Sequence, residues 1–226
     1  MDARDHAKEL AAQKALEFIE NGMIVGLGSG STATHFIKLL GERVQQGLKV
    51  RGIPSSKSSE ALAKSLFIPI IDFHDTSEID VTIDGADEVA PGLALIKGGG
   101  GALLREKIVA SASKKFVVVA DSSKIVKHLG KFPLPVEVIP MAAPLVAARL
   151  AALGIAPHVR QAATGGDYIT DEGNLILDCN CGEIEDPPAL AAAIRAIVGV
   201  VEHGLFLNMA DLAIVSSDSE IRLLNK

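Results

Sequence analysis

Met23-Ile24-Val25-Gly26-Leu27-Gly28-Ser29-Gly30-Ser31-Thr32 reads as a short buried strand that stops at a loop of glycines and hydroxyls. A helix follows it to about Gln46 and is closed by Gly47. Upstream, residues 3–20 carry Leu10, Ala11, Ala15, Phe18 and Ile19 on one helical stripe, with Asn21-Gly22 as the stop. Downstream the pattern predicts a strand over 49–53, a helix over 57–66 and strands over 68–72 and 79–83. A helix over 103–113 and a strand over 116–120 complete this part. Strands that alternate with helices and read as continuous Val/Ile runs belong to a parallel sheet covered on both faces. Ligands of such sheets bind beyond the carboxyl ends of the strands. Residues 28–32 and 84–88 both follow strands directly, so they are expected to share one rim.

The pattern changes at Gly130-Lys131-Phe132-Pro133-Leu134-Pro135. Beyond it the expected elements are a strand over 136–139, a helix over 142–153 ending at Gly154, and a strand over 156–161. A turn-rich loop leads to a strand over 174–179, a helix over 187–197 and a strand over 199–204. That order, β-α-β-β-α-β, is the ferredoxin-like arrangement. The apolar stretch 212–215 is too short to stand alone and is expected to return as a strand to the first sheet. The fold class is therefore α/β, a parallel-sheet domain of residues 1–130 and 206–226 plus a smaller α+β domain of residues 131–205.

Composition narrows the function. Of 226 residues 48% are hydrophobic, so a core can form without metal or disulfide support. Lys and Arg number 22 against 28 Asp and Glu, a net charge of -6, which supplies no basic face for nucleic acid. An anionic ligand would be held by a few local lysines and backbone amides. The apolar runs are too short to span a bilayer. Cys179 and Cys181 would share one face of a strand, but no second Cys or His pair completes a zinc set. Two unpaired thiols and no recognisable signal peptide fit a reducing cytoplasm. His6, His35, His74, His128, His158 and His203 show no ligand spacing, so neither a metal nor another cofactor is expected.

Three stretches carry chemistry. In Gly28-Ser29-Gly30-Ser31-Thr32 successive amides at a helix start make an anion site, and the hydroxyls add donors. Gly28-x-Gly30-x-x-Ala33 also fits the dinucleotide fingerprint, but Gly52-Ile53-Pro54-Ser55-Ser56 lacks the acid for a ribose hydroxyl. A Walker loop is excluded by lysine spacing, and Gly28-Ser29-Gly30 leads into an anion loop, not a hydrolase elbow. Ile83-Asp84-Gly85-Ala86-Asp87-Glu88 sets three carboxylates in five positions. Lys97-Gly98-Gly99-Gly100-Gly101-Ala102-Leu103-Leu104-Arg105-Glu106-Lys107 places four glycines between a cation and a potential base. Glycine lets a ligand approach the backbone, at an entropic cost that a structural loop seldom repeats four times.

Each stretch has a plainer reading. Residues 28–32 could be a tight turn with Ser31 or Thr32 as helix cap. Residues 84–88 could be turn chemistry, since they lack the ligand pattern of a calcium loop. Glu106 could merely complement a helix dipole, and Lys97 could be a surface lysine beside a flexible loop. Phosphate-binding glycines and carboxylates at one rim favour the functional reading, an enzyme acting on a small phosphorylated molecule.

Gly26-Leu27-Gly28-Ser29-Gly30-Ser31-Thr32, Asp84-Gly85-Ala86-Asp87-Glu88, the glycine run with Arg105-Glu106-Lys107, and Lys131-Phe132-Pro133-Leu134-Pro135-Val136-Glu137-Val138 together closely resemble the A-type ribose-5-phosphate isomerase family. The likeness extends from Lys8 to the final strand through Thr170-Asp171-Glu172-Gly173-Asn174 and Gly204-Leu205-Phe206. Ser29 stands where Thr is frequent, and Gly165-Gly166-Asp167 falls in a variable loop.

The resemblance implies a Rossmann-like domain plus a ferredoxin-like lid, in homodimers or homotetramers. It also implies metal-free interconversion of ribose 5-phosphate and ribulose 5-phosphate through a cis-enediolate, in the non-oxidative pentose phosphate pathway. Glu106 resembles the general base. Asp84 and Asp87, with Gly85 and Ala86 between them, resemble the groups that handle ring opening and sugar hydroxyls. Lys97 and the amides of Gly98, Gly99 and Gly100 look like stabilisers of oxyanion charge. Ser29, Gly30, Ser31 and Thr32 look like the phosphate loop, with Lys8 and Lys124 as supporting cations. Two readings from other classes compete. A CoA transferase of similar fold would use a glutamate nucleophile, against which the phosphate loop argues. A phosphosugar-sensing regulator would need a helix-turn-helix, for which there is no room before the first strand.

Overall fold

The structure, a computed structural model, describes residues 3–217 and 220–226. Along the chain run α1 (Ala3–Ala15), β1 (Ile24–Leu27), α2 (Gly30–Gln45), β2 (Arg51–Pro54), α3 (Lys57–Ser65) and β3 (Val81–Asp84). Next come β4 (Glu88–Ala90), β5 (Ala94–Ile96), α4 (Leu103–Ser111), β6 (Phe116–Asp121), β7 (Leu134–Val138), α5 (Ala143–Ala152) and β8 (Ala156–Val159). The chain closes with β9 (Leu175–Asn180), α6 (Pro187–Arg195), β10 (Val200–His203), β11 (Leu205–Phe206), β12 (Leu212–Ser216) and β13 (Ile221–Asn225). No helix among the described residues is long and apolar enough to cross a membrane.

Two compact units result. The first comprises the described residues up to Ala86, Arg105–Ile125 and those of Asn208–Lys226; the second comprises Asp87–Leu104 and Val126–Leu207. Residues 87–104, expected in the first domain, cluster instead with the second unit, in which β4, β5 and β11 form a three-stranded sheet. Those three strands were not anticipated, being only two or three residues long. The chain crosses between units at Ala86/Asp87 and at Leu104/Arg105, inside the two motifs that carry the carboxylates and the glycines.

The first unit is built on a six-stranded sheet, β13-β12-β6-β3-β1-β2, parallel except for the edge strand β13. All six residues of β6 are buried, as a central parallel strand covered on both faces requires. On one face Phe36, Ile37 and Leu40 of α2 pack with Val25, Leu27, Ile83, Val117 and Ile214. The stretch 212–215 does return to this sheet, beside β6. The strand expected over 68–72 does not form. Only Ile70 makes a bridge, to Gly52, because Pro69 has no N–H to extend the ladder.

The second unit carries the four-stranded antiparallel sheet β10-β7-β9-β8 with α5 and α6, the β-α-β-β-α-β order read from the sequence. Its core joins Leu134, Val136 and Val138 to Val146, Leu150, Leu177 and Ile194. Glu137, on β7, is 1% exposed and accepts hydrogen bonds from Thr170 Oγ1 and Asn174 Nδ2, both at 2.9 Å. Burial raises its carboxyl above the ordinary range, Asn174 and Thr170 offset part of that, and the Glu172 charge adds to it. The folded state thus binds this proton more tightly than the unfolded state, so stability falls as pH rises from the ordinary carboxylate value through the raised one. Glu137→Gln should flatten that decline. Urea melts at intervals between about pH 4 and 7 test this, and an unchanged pH slope would contradict it.

Candidate active site

The sheet order reverses direction at β1, which lies between β2 and β3, and the carboxyl ends of strands at such a point are where sheets of this kind bind ligands. Residues 28–32 leave β1 there, and Asp84 ends β3. They meet closely: Asp84 Oδ1 accepts the N–H of Ser29 at 2.9 Å and of Gly85 at 2.7 Å. A Cβ on Gly28 would lie 2.5 Å from the Asp84 Cα, so only glycine permits this approach. The shared rim is therefore real for Asp84. Glu88, by contrast, is buried on β4 and accepts the N–H groups of Gly130 at 2.7 Å and Phe132 at 2.6 Å. It braces the chain after Ile125.

Helix α2 begins at Gly30, whose φ is +84°. Ser29 is the N-cap but makes no side-chain capping bond, because its Oγ pairs instead with Ser55 Oγ at 2.8 Å. Neither Ser31 nor Thr32 caps the helix; both lie within it. A long helix thus starts without a side-chain cap, which keeps its first amides and dipole available to an anion. Ser31 is exposed and Thr32 buried. Lys124 stands in a short 3₁₀ turn just past β6, the neighbour of β3, and Asp121 opens that turn by accepting the Ser123 N–H. Lys8, on α1, sits 3.6 Å from Asp5 Oδ1.

Glu106 is 5% exposed and lies in the first turns of α4. The helix ends near the amino end of β3, where Ile79 bridges to Ser113, so its start faces the carboxyl ends. Midway, Val109 packs over β1: a Cβ on Gly26 would lie 2.8 Å from Val109 Cγ1. Glu106 is one turn earlier on the same helix face, toward the 28–32 loop and Asp84.

The second unit holds the other candidates. Asp87 Oδ2 accepts the Gly99 N–H at 2.7 Å, and the Asp87 N–H donates to Ile96 O at 2.8 Å. Lys97 is not the surface lysine of the plainer reading. It is 2% exposed, with its N–H bonded to Gly204 O at 2.9 Å and its Nζ 5.5 Å from the centre of the Phe206 ring.

The four glycines divide by cause. Gly98 (φ +99°) and Gly101 (φ +85°) need the left-handed region, and a Cβ on Gly101 would strike the Tyr168 ring. A Cβ on Gly99 would lie 2.6 Å from Asp87 Oδ1. Gly100 has neither constraint: nothing lies within 4 Å of its Cβ position.

Sequence reading missed the residues that hold this loop. Arg160 Nη1 donates to Gly98 O at 3.0 Å and Gly99 O at 3.1 Å, and Tyr168 Oη donates to Gly100 O at 3.4 Å. Nothing local marks Arg160, whose partners in this loop lie 62 and 61 residues away. Cys179 is buried and Cys181 half-buried. Burial raises both thiols, Cys181 to about 11, and each donates to a backbone carbonyl at 3.5 Å. Among the described residues no group of three or more His, Cys, Asp or Glu is arranged to hold a metal ion.

With this geometry in view, the likenesses to known proteins are specific. Residues 51–220 match the family described as ribose 5-phosphate isomerase A (phosphoriboisomerase A). The ribose-5-phosphate isomerase A of Sphingopyxis alaskensis is 51% identical over 209 residues, 92% of this chain and 91% of that one. A solved ribose 5-phosphate isomerase A from Methanocaldococcus jannaschii is 41% identical and superposes with a TM-score of 0.94, over 98% of this chain and 99% of that one. A D-ribose-5-phosphate isomerase solved in complex with phospho-erythronic acid is 40% identical with a TM-score of 0.96, over 99% of both chains. This chain belongs to the ribose 5-phosphate isomerase A family and is an isomerase.

Proposed function

We propose that this isomerase interconverts ribose 5-phosphate and ribulose 5-phosphate through a cis-enediolate, with Glu106 as the base that moves the proton between C2 and C1. The observation that carries the reading is a buried glutamate on the α4 face that looks toward the uncapped start of α2 and toward Asp84. Removing a proton next to a carbonyl needs one base shared by two adjacent carbons. It also needs donors aimed at the developing oxyanions. A glutamate beside an electrophile is the arrangement of triosephosphate isomerase.

In this reading Asp84 and Asp87 handle ring opening and the sugar hydroxyls, with Gly85 and Ala86 as backbone contacts. Lys97 and the amides of the Gly98, Gly99 and Gly100 stretch take the enediolate charge, with the Gly99 amide itself engaged by Asp87. The phosphate lies at Gly30, Ser31 and Thr32, with Ser29 as their support and Lys8 and Lys124 as cations. The Ser29 amide itself is engaged by Asp84. The enzyme would need no metal, serve the non-oxidative pentose phosphate pathway in the cytoplasm, and work as a homodimer or homotetramer. No nucleic acid or membrane partner is part of the proposal.

A coupled assay that follows ribulose 5-phosphate formation tests the reading directly. Ribose without the phosphate should be a very poor substrate, since binding energy at the remote phosphate positions the reacting carbons. Comparable specificity constants for the two sugars would reduce the start of α2 to a plain helix end.

The glycine loop offers a second check. Gly101→Ala should destabilise the fold by more than about 1 kcal/mol, because both its φ and the Tyr168 ring oppose a side chain. Gly100→Ala should stay within about 0.5 kcal/mol of wild type in stability yet raise KM, because the methyl group occupies the open side of the loop. An unchanged KM would mean that no ligand approaches there.

A further inference from the structure

The 98–101 loop is held from the side opposite its open face. Arg160 directly follows β8 and its side chain is 13% exposed. Its Nε and Nη2 donate to Asp178 Oδ2 at 2.8 Å and Oδ1 at 2.5 Å, a two-point grip that fixes the plane of the guanidinium. The remaining nitrogen, Nη1, bridges the carbonyls of Gly98 and Gly99. Tyr168 covers the guanidinium, with its ring centre 5.8 Å from Arg160 Cζ, and reaches the next carbonyl, that of Gly100. Three successive carbonyls therefore turn toward one clamp.

In a trans peptide the C=O and the following N–H point in opposite directions. Holding the Gly99 carbonyl thus aims the Gly100 N–H away from Arg160. The Gly99 N–H is taken by Asp87 and the Gly101 N–H by Gly98 O. Gly100 is exposed, and nothing lies within 4 Å of its Cβ position. Glycine peptides rotate freely unless something holds them, and an oxyanion donor works only if it is oriented in advance.

We propose that Arg160, locked by Asp178, is a positioning residue that holds the Gly99–Gly100 peptide so that the Gly100 N–H donates to the enediolate oxygen. This rests on the isomerase reading above. Arg160 touches no substrate; it acts through the loop.

The test uses the full chain with Arg160→Met, Arg160→Lys and Asp178→Asn. For each variant kcat and KM for ribose 5-phosphate, inhibition by inorganic phosphate, binding of phospho-erythronic acid and the melting temperature are measured. Arg160→Met should lower kcat by about 10- to 100-fold, the range for a displaced or lost oxyanion donor. KM and phosphate inhibition should stay within about threefold, since the phosphate contacts are elsewhere. Phospho-erythronic acid, whose carboxylate offers paired oxygens like those of an enediolate, should weaken along with kcat/KM. Asp178→Asn and Arg160→Lys should move the same way by smaller factors, because each keeps part of the grip. If Arg160→Met does not fold, these two variants decide.

Folded variants with wild-type kcat would overturn the proposal. So would a fall in kcat accompanied by an equal loss of phosphate binding, which marks a general structural role. A wild-type enzyme inactive on ribose 5-phosphate would remove the isomerase reading instead. Phospho-erythronic acid binding, compared between wild type and variants, would then still judge the clamp.

Discussion

Glu106→Gln is expected to lower kcat by about 10²–10⁴-fold, the usual worth of a positioned general base, while KM changes little. The amide keeps the size and the hydrogen-bonding reach of the carboxylate but cannot accept a proton from carbon. Glu106 is almost fully buried on α4, so an isosteric change leaves the packing around Val109 in place. Steady-state kinetics, with exchange of the C2 proton into deuterated water, checks the prediction. Exchange and turnover should fall together, because both begin with the same abstraction. A variant that keeps more than about a tenth of the wild-type rate removes Glu106 from the role of base.

Lys97 carries the second large effect. Lys97→Met should lower kcat by about 10²-fold or more, as loss of an oxyanion donor does, with a much smaller change in KM. Methionine retains the length of the stem in a site that is only 2% exposed, so the fold should survive. Lys97→Ala should lose the same catalysis and, in addition, on the order of 2 kcal/mol of stability from the cavity left beside Phe206. A lysine on the surface would have shown neither loss. Thermal melts with kinetics on both variants separate the two roles. Full activity in a stable Lys97→Met protein would make Lys97 a packing residue of the second unit.

The burial of Lys97 is not legible in its own stretch of sequence. A lysine beside four glycines reads as exposed, since loops of that composition usually run over the surface. Its burial depends on β11 pairing with β5, two short strands that no periodicity announces. The same limit hid the distinct role of Glu88. It looked like a third member of an acidic cluster, yet two amides more than forty residues away claim it.

What the sequence by itself determined is the local script. Apolar runs, glycine stops and amphipathic stretches predict most strands and helices to within a few residues, including the parallel character of the first sheet and the β-α-β-β-α-β succession of the second. They also predict the 28–32 loop at the head of α2 and Glu106 near the start of α4. These features are legible because side-chain period and turn chemistry depend on neighbours a few positions apart.

Only the tertiary structure decided which amides and carbonyls are already engaged. Asp84 takes the Ser29 amide because β1 and β3 pair with Leu27 beside Ile83. Arg160 reaches Asp178 because β8 and β9 pair antiparallel with His158 beside Asp178. From there Arg160 reaches a loop sixty-two residues away. Pairing register is a property of two distant segments packed together, and hydrogen bonds that depend on it cannot be read from either segment alone.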